Sequence, residues 1–353
     1  MVFRILVASY TNEVYTLLFD PDAPSLTLGS SVTVGHHPSW ITPHPTDPTV
    51  IFAAVEQGDG RLVALKYDSD GNGKVVADVP TLGDSPCSIL STEQGVLIGN
   101  YMSGTVVTVP LVSEPNYLAP SGNVVVKLTG SGPNQERQAS PHPHQAVIHP
   151  DREELLVPDL GSDKLRRFAK DGKGGWVPSI DLEYKAGTGP RHIAFYKDNL
   201  YTLLELSSEI VAHRFPPLPE EPMLLDTVPT MQEFPPPPAV LDMLAAEILI
   251  PKPNEKYSIP YLYVSNRNDP SPEGDVISIY SIENPEKIVP VNEVRSGLKH
   301  ARGMVFGGPD DKYLIVGGVL GGGVKIFERI NGGKDLKEIV RVALDAPTGF
   351  LWN

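Results

Sequence analysis

Short apolar runs separated by polar turns cover most of the chain, and runs of this length predict β-strands. In the clearest unit an apolar run at 192–195 leads into a polar hairpin at 197–199, and a second run at 200–204 follows. Arg191 precedes the first run and Glu205 follows the second. Antiparallel strands joined by a tight hairpin place these two positions at the same end of the sheet. The pattern therefore predicts that Arg191 and Glu205 are neighbours.

The same unit recurs about every 50 residues along the chain. Each copy opens on a turn that we call the anchor, and the anchors are Pro38, Pro86, Pro143, Pro190, Pro238 and Ala301. The apolar run after each anchor stops on a polar residue, namely Glu56, Asn100, Asp159, Glu205 and Asn266, or on Gly317–Gly318 in the last copy. A third strand follows in each copy, and often a fourth. About four strands per repeat is the signature of a β-propeller blade.

The two ends of the chain complement each other. Segment 4–19 resembles the second and third strands of a unit that lacks its first strand, whereas 346–352 resembles an anchor with a lone first strand. Six complete units and this composite unit give seven blades. We expect Phe350–Trp352 to pair near Ile5–Ala8, because closing the ring in this way removes an exposed sheet edge.

The predicted fold is therefore all-β: a seven-bladed β-propeller closed by a C-terminal strand that joins the N-terminal blade. We expect 1–353 to form a single domain with a Pro-rich insertion at about 215–260. The only stretch considered for an amphipathic helix is 239–249. A β-sandwich or a two-domain β protein is the alternative architecture, and the regular repeat disfavours it.

Composition narrows the function classes. The net charge of −14 argues against nucleic acid as a partner, because nucleic-acid binding relies on clustered Lys and Arg. An anionic substrate would need a local basic pocket. No apolar run reaches about 18 residues, so no membrane span is expected, and the N-terminus is typical of a strand rather than a signal peptide. The single cysteine, Cys87, excludes an internal disulfide and fits a reducing compartment, so we expect a cytoplasmic protein.

In a propeller, the anchors and the polar stop residues meet at one mouth of the central channel. A cavity where polar side chains converge is the default site hypothesis. The polar residues predicted at this mouth are His36, His37, Ser39, Glu56, Asn100, His142, His144, Asp159, Arg191, Glu205, Asn266 and Arg267. Two arginines beside Glu205 indicate a clamp for a carboxylate or phosphate. The imidazole of His144, presented between prolines, is suited to proton transfer.

Each of these residues also has a structural interpretation. Asn100 and Asp159 serve equally well as turn caps. The Arg191–Glu205 pair fits an inter-strand ion pair, and strand alternation would let only one of the adjacent histidines at 36–37 face the channel. The glycine-rich segment 317–323 is interpreted as a crowded turn, because it lacks the Lys-Ser/Thr and the helix of a phosphate loop.

A metal site is the second hypothesis for the channel. No Cys/His cluster has zinc spacing, and the chain lacks a Gly-x-Ser-x-Gly nucleophile motif. Oxygen ligands from Glu56, Asn100, Asp159 and Glu205 would suit calcium.

Five motifs resemble the seven-bladed propeller lactonase family, which groups 6-phosphogluconolactonases of the propeller kind with fungal carboxy-cis,cis-muconate cyclases. They are PHPHQ at 141–145, VPDLGSD at 157–163, GTGPRHIAF at 187–195, LLELSS at 203–208 and YVSNRN at 263–268. The resemblance covers the whole chain, and the insertions at 215–260 and 269–275 look more like fungal members. The chain departs from the family at 317–319, where relatives usually present polar residues.

The resemblance implies a site without metal or cofactor, in which His144, Arg191, Glu205 and Arg267 are catalytic. We expect His142, Asp159, Asn266, Asn100 and His36 to contribute to substrate binding. In the expected mechanism the arginines hold the substrate anion and stabilise the oxyanion, while Glu205 and His144 act as general acid and base.

The expected function is that of a metal-independent enzyme acting on the lactone ring of a small anionic substrate, best matched by a 6-phosphogluconolactonase-like hydrolase. The alternatives are a carboxy-cis,cis-muconate cyclase that forms a lactone from a dicarboxylic acid, a cation-dependent sugar lactonase, and a non-catalytic interaction propeller. The sequence leaves the oligomeric state open.

Overall fold

The computed structural model describes residues 1–120, 122–173 and 175–353, and β-strands dominate these residues. The strands of the first half are β1 (Phe3–Ser9), β2 (Glu13–Asp20), β3 (Ser25–Thr33), β4 (Pro38–Pro43), β5 (Val50–Val55), β6 (Arg61–Tyr67), β7 (Gly73–Pro80), β8 (Pro86–Ser91), β9 (Gly95–Asn100), β10 (Thr105–Pro110), β11 (Asn123–Lys127), β12 (Val147–Ile148), β13 (Glu154–Asp159), β14 (Lys164–Lys170), β15 (Trp176–Pro178) and β16 (Leu182–Glu183).

The second half continues the pattern. Its strands are β17 (Pro190–Tyr196), β18 (Asn199–Leu204), β19 (Glu209–Arg214), β20 (Met223–Pro229), β21 (Leu244–Leu249), β22 (Tyr261–Arg267), β23 (Val276–Ser281), β24 (Val289–Arg295), β25 (Lys299–Gly307), β26 (Tyr313–Gly321), β27 (Gly323–Ile330), β28 (Asp335–Val342) and β29 (Pro347–Trp352). Short 3₁₀ turns lie at Leu160–Ser162, Ala239–Asp242, Pro309–Asp311 and Asn331–Gly333. Within the described part of the chain, no helix has the length and apolar character needed to cross a membrane.

The described strands form seven sheets, the number that the repeat predicts. Their strand orders are β29-β1-β2-β3, β4-β5-β6-β7, β8-β9-β10-β11, β12-β13-β14-β15 with β16 beside β14, β17-β18-β19-β20, β21-β22-β23-β24 and β25-β26-β27-β28. The first sheet joins the last strand of the chain to the first, and the Asn353 N–H donates to the carbonyl of Arg4 at 2.9 Å. The predicted composite blade is therefore confirmed.

Two compact units divide the chain by their internal contacts. We call 6–17 with 28–191 the N-terminal unit, and 1–5 with 18–27 and 192–353 the C-terminal unit. Each is described by itself below, and the single-domain expectation stays a prediction.

In the N-terminal unit the apolar runs become middle strands that are buried on both faces. All six residues of β5, of β9 and of β13 are buried. Sheets that pack face to face need continuous rather than alternating apolar strands, which is why these runs lack a clean period of two. Phe52 of β5 and Ile98 of β9 belong to one apolar cluster that joins neighbouring sheets.

The C-terminal unit is organised in the same way. Tyr201 and Leu203 share one cluster with Ile248, and a second cluster surrounds Tyr263. An aromatic group supports the closing strand: the ring of Trp352 lies 5.7 Å from that of Phe3, 6.1 Å from that of Phe19 and 6.4 Å from that of Tyr313, measured between centroids.

The helix considered at 239–249 is wrong. A 3₁₀ turn at Ala239–Asp242 is followed by β21, whose central residues 245–248 are buried and which pairs with β22. The anchor of this copy is accordingly not Pro238 but Ala245, which lies opposite the stop residue Asn266. Pairing with a neighbouring strand outweighs the weak helical preference of an Ala- and Leu-rich segment.

Candidate functional site

A β-bulge recurs at the residue that follows the anchor. The register shifts between Pro38 and Trp40 and between Pro86 and Ser88 in the N-terminal unit. It also shifts between Ala245 and Ile248 and between Ala301 and Gly303 in the C-terminal unit, so the bulged residues are Ser39, Cys87, Ala246 with Glu247, and Arg302. A bulge leaves one residue out of the ladder and re-aims its side chain.

Two small bulged residues connect neighbouring sheets of the N-terminal unit. The Ser39 hydroxyl donates to the Pro86 carbonyl at 2.9 Å, and the Cys87 thiol lies 3.5 Å from the Pro143 carbonyl oxygen. Both side chains therefore reach the anchor of the next sheet. In the next two copies the residue after the anchor is larger and ionisable, namely His144 and Arg191.

Arg267 and Glu205 form a buried ion pair in the C-terminal unit. Arg267 ends β22, Glu205 follows β18, and Nη2 of the arginine lies 2.8 Å from Oε2 of the glutamate. The guanidinium also donates from Nε to the Leu244 carbonyl at 3.1 Å and from Nη2 to the Ala245 carbonyl at 3.2 Å. Both charged residues are at least 95 % buried. A guanidinium fixed by several acceptors is pre-organised to present its charge in one direction.

Arg191 is the second residue of β17 and is buried. The hairpin expected after it is confirmed, because β17 and β18 are adjacent in their sheet and only residues 197–198 separate them. The contact between Arg191 and Glu205 stays a prediction.

A second buried pair, His192 with Glu247, was not predicted from the sequence. Nδ1 of His192 lies 2.7 Å from Oε1 of Glu247 in the C-terminal unit. The glutamate is one of the two bulged residues of β21, and its backbone N–H donates to the Ser265 hydroxyl at 3.1 Å. The sequence did contain a signal for this pair, because Glu247 is a charged residue within an apolar run. An amphipathic helix at 239–249 would place that residue on its polar face, so the helical interpretation gave it no role.

Asn266 and Asn100 are wholly buried and hold turns in place. Asn266 accepts a 2.6 Å hydrogen bond from the Thr230 hydroxyl and donates to the Thr230 carbonyl at 3.2 Å. Asn100 donates to the Thr81 carbonyl at 3.1 Å and to the Thr105 hydroxyl at 3.0 Å. These contacts match the turn-cap interpretation of a polar stop residue. The roles of the two amides in substrate binding stay predictions.

In the N-terminal unit His142 and His144 gather around Tyr101. The His142 ring stacks on that of Tyr101 with centroids 4.2 Å apart, and the His144 ring meets the same tyrosine edge-on at 5.6 Å. His142 Nδ1 lies 2.8 Å from the Tyr101 carbonyl oxygen. Both imidazoles are buried, so packing rather than solvent sets their orientation.

Asp159 holds the backbone of this histidine group in place through hydrogen bonds. One carboxylate oxygen accepts the backbone N–H of His142 at 2.7 Å. The other accepts Nε and Nη2 of Arg166 at 3.0 and 2.8 Å. Close packing explains the glycine at position 161, because a Cβ there would lie 1.8 Å from the Ser140 carbonyl oxygen. Asp159 thus orients the backbone that carries the histidines, and its part in substrate binding stays a prediction.

His36 and His37 stack on each other with ring centroids 3.5 Å apart. Strand alternation does not apply to this pair, because His37 precedes β4 and has a left-handed φ of 59°. That only one of the two histidines faces the channel stays a prediction. Burial lowers the pKa of His37, and the neighbouring imidazole adds to that effect. Close by, the Tyr10 hydroxyl donates to Glu56 at 2.7 Å. A role of His36 in substrate binding stays a prediction.

The described residues contain no group of three or more His, Cys, Asp or Glu side chains arranged to hold a metal ion. The glycine-rich turn at 317–323 is crowded, as expected. A Cβ on Gly318 would lie 2.1 Å from the Gly321 carbonyl oxygen, and one on Gly323 would lie 2.3 Å from that of Val342.

Comparison with known proteins gives consistent matches over the whole chain. A sequence model of the family described as "Lactonase, 7-bladed beta-propeller" matches residues 4–352. A protein of Arthroderma benhamiae named "Probable 6-phosphogluconolactonase" is 27 % identical over 335 residues, covering 91 % of this chain and 81 % of that protein.

A 6-phosphogluconolactonase of Bacillus subtilis is 30 % identical over 223 residues, which cover 60 % of this chain and 62 % of the Bacillus protein. The solved structure of a periplasmic gluconolactonase from Pseudomonas aeruginosa superposes with a TM-score of 0.80 at 22 % identity, covering 100 % of this chain and 99 % of that one. At that identity the superposition establishes the fold alone.

Proposed function

The chain belongs to the lactonase family of seven-bladed β-propellers, and from that premise we propose that it hydrolyses the ester bond of a small anionic sugar lactone, as a 6-phosphogluconolactonase does. The fold is all-β and the protein is an enzyme that acts on lactones. Relatives from a fungus and a bacterium, both named for 6-phosphogluconolactone, support a phosphorylated sugar lactone as the substrate.

The observation that carries the proposal within the structure is the fixed guanidinium of Arg267. The protein as a whole has a net charge of −14, which repels anions. The Arg267 guanidinium, held by Glu205 and by two backbone carbonyls, supplies N–H donors in a fixed direction that do not have to reorganise when an anion binds. Such a group suits either the phosphate of the substrate or the oxyanion that forms during hydrolysis.

In the proposed reaction a water molecule attacks the ring carbonyl, and the ester C–O bond breaks to give a hydroxy acid. Arg191 and Arg267 are proposed to hold negative charge, while Glu205 and His144 are proposed to transfer protons, as the family resemblance assigns them. A guanidinium aimed at a developing oxyanion is typically worth a factor of about 10²–10³ in rate.

Further parts of the proposal concern the setting of the reaction. We propose that it needs no metal ion or cofactor and that the protein is cytoplasmic. The only cysteine, Cys87, is a buried free thiol, which fits a reducing compartment. We propose a small-molecule substrate, with neither nucleic acid nor membrane as a partner.

The first experiment compares substrates. Wild-type protein is assayed with 6-phosphogluconolactone, neutral sugar lactones and 3-carboxymuconate, each with and without EDTA. We expect hydrolysis of the phosphorylated lactone that EDTA does not reduce. Preferential turnover of 3-carboxymuconate would identify a lactone-forming cyclase instead, and loss of activity in EDTA would identify a cation-dependent lactonase.

The second experiment tests the arginine. Arg267→Ala is expected to lower kcat/KM about 10²–10³-fold. Arg214→Ala is the matched control, because Arg214 is half exposed and pairs at the surface with the exposed Glu286 at 3.3 Å. Glu205→Gln and Arg191→Ala are expected to remove activity while circular dichroism stays unchanged. Full activity in folded Arg267→Ala would contradict the proposal.

A further inference from the structure

Glu247, the partner of His192, lies on the strand whose backbone Arg267 contacts. Arg267 donates to the carbonyls of Leu244 and Ala245, and Glu247 lies two residues further along the same strand. Two residues of extended chain span at most about 7 Å. The Glu247 backbone also donates to Ser265, two residues before Arg267 on β22. The carboxylate and the guanidinium are therefore carried by the same pair of adjacent strands.

One oxygen of Glu247 is held firmly. Oε1 accepts Nδ1–H of His192 at 2.7 Å and the backbone N–H of Ile248 at 3.1 Å. Among the described residues both of these bonds end on Oε1, and none ends on Oε2. The Glu247 side chain keeps 11 % of its surface exposed, whereas that of His192 keeps 1 %. The arrangement fixes a carboxylate through one oxygen and leaves the other able to meet a solvent molecule.

A purely structural pair would not need this geometry. Burying a glutamate is costly unless its oxygens are satisfied, and an apolar residue would fill an inner strand more cheaply. The bulge in β21 places two residues, Ala246 and Glu247, opposite the single residue Ser265 of β22. Bulges of this kind are concentrated beside active sites, where they re-aim a side chain.

We propose that Glu247 is a catalytic general base and that His192 is its positioning residue, an assignment that rests on the lactonase function proposed above. In this assignment Glu247 replaces Glu205 in the proton transfer, because the Glu205 carboxylate is engaged by Arg267 at 2.8 Å and serves to hold that guanidinium. The His192 imidazole, by donating to Oε1, orients the carboxylate and turns Oε2 towards the water that attacks the lactone.

The proton and electron balance of the step is simple. Oε2 of Glu247 takes one proton from water, and the water oxygen bonds to the lactone carbonyl carbon. The tetrahedral intermediate collapses as the ester C–O bond breaks, and the bonding pair leaves on the ring oxygen. Glu247 returns the proton to that oxygen, which becomes a hydroxyl. The product contains the lactone plus one water, and the carboxylate is regenerated.

The first arm of the test replaces the base. Glu247→Gln is expected to lower kcat about 10²–10⁴-fold while KM changes less than about threefold, because general-base catalysis contributes a factor of this size. Glu286→Gln, whose side chain is 65 % exposed, is the matched control and should keep wild-type kcat. Glu247→Asp keeps the charge and should retain part of the activity, so that a folding defect in one variant leaves the other informative.

The second arm tests the positioning residue by its separate effects on kcat and KM. The groups in contact with Glu247 are His192, the Ile248 N–H and the Ser265 hydroxyl. His192→Leu removes the donor that orients the carboxylate and should lower kcat while KM changes little, whereas His192→Asn, which keeps an N–H donor, should restore part of kcat. A structural role alone would lower the melting temperature and leave the kcat of the folded variant unchanged.

The outcomes separate the two proposals. Wild-type protein that opens no lactone overturns the proposed function and the role of Glu247 with it. Wild-type protein that is active, together with a folded Glu247→Gln variant of unchanged kcat, overturns the role of Glu247 alone. A fall in kcat for Glu247→Gln with an unchanged kcat in folded His192→Leu overturns the role of His192.

Discussion

The closing strand β29 gives the most quantitative prediction about the fold. Its last residue, Trp352, packs against Phe3, Phe19 and Tyr313 at the distances given above, and the indole covers Gly307 so closely that a Cβ there would lie 2.2 Å from the ring. Trp→Ala in a full core costs about 3–5 kcal/mol. Trp352 is only half-buried, so we expect Trp352→Ala to cost about 2 kcal/mol.

The corresponding change in melting temperature follows from chain length. Unfolding entropy is about 2.1 cal/mol/K per residue, so a 353-residue chain loses roughly 1 °C for each 0.7 kcal/mol. Trp352→Ala should therefore melt about 3 °C lower. Deleting residues 346–353 also removes the buried Phe350 and the strand's hydrogen bonds to β1, for a total of roughly 6 kcal/mol and a shift of about 8 °C.

The assay is thermal unfolding followed by circular dichroism and by calorimetry, with Trp176→Ala as the control. Trp176 is also half-buried, but it lies in the short strand β15 with Lys170 over its ring at 4.0 Å, so its loss should shift melting by no more than about 1–2 °C. A deletion variant that melts at the wild-type temperature would refute the closure of the first sheet by β29.

Three further predictions concern single residues. Burial lowers the pKa of His213 from 6.5 to about 4, so the native state stays neutral while the unfolded state takes up a proton. The free energy of unfolding should therefore fall by roughly 3 kcal/mol as pH drops from 6.5 to 4. Urea titrations at several pH values should show a smaller fall for His213→Gln. Gly318→Ala should lower the urea midpoint by an amount equivalent to about 1–3 kcal/mol, because its Cβ would meet the Gly321 carbonyl, whereas Gly58→Ala, with open space around it, should be nearly neutral. Asp159→Asn removes one of the two carboxylates that hold Arg166, since Asp181 remains at 2.9 Å, and should cost about 2 kcal/mol by the same titration; an unchanged midpoint would contradict the Asp159–Arg166 pairing.

The fold was predictable because each repeat contains residues that mark where its strands begin and end. Proline anchors and polar stop residues mark the ends of the first two strands in most copies, so the sheet count and the composite first sheet follow from spacing alone. The copy around β21 broke this rule, because its anchor is Ala245 rather than a proline and a long insertion precedes it. Local sequence preference there suggested a helix, and only pairing with β22 decides otherwise.

The site was less predictable than the fold because polarity at a strand end has two causes. Asn266 is hydrogen-bonded to Thr230, and Asn100 is hydrogen-bonded to Thr81. The residues next to them in the sequence do not predict these structural contacts. The pairing of His192 with Glu247 joins residues 55 positions apart, and it depends on a bulge in β21 that no local motif predicts. The Glu205–Arg267 pair was predictable because Glu205 is the stop residue of one repeat and Arg267 directly follows the stop residue of the next.

The recurring bulge after the anchor has a consequence for how such an enzyme acquires a new substrate. A residue that makes no ladder contact is exempt from strand-pairing preferences, so serine, cysteine and arginine occupy positions 39, 87 and 302 on near-identical backbones. Each of these three sheets thus offers one adjustable position that mutation can exchange while the surrounding hydrogen bonds persist. Selection on such a chain can alter substrate preference one sheet at a time without changing how the strands pair.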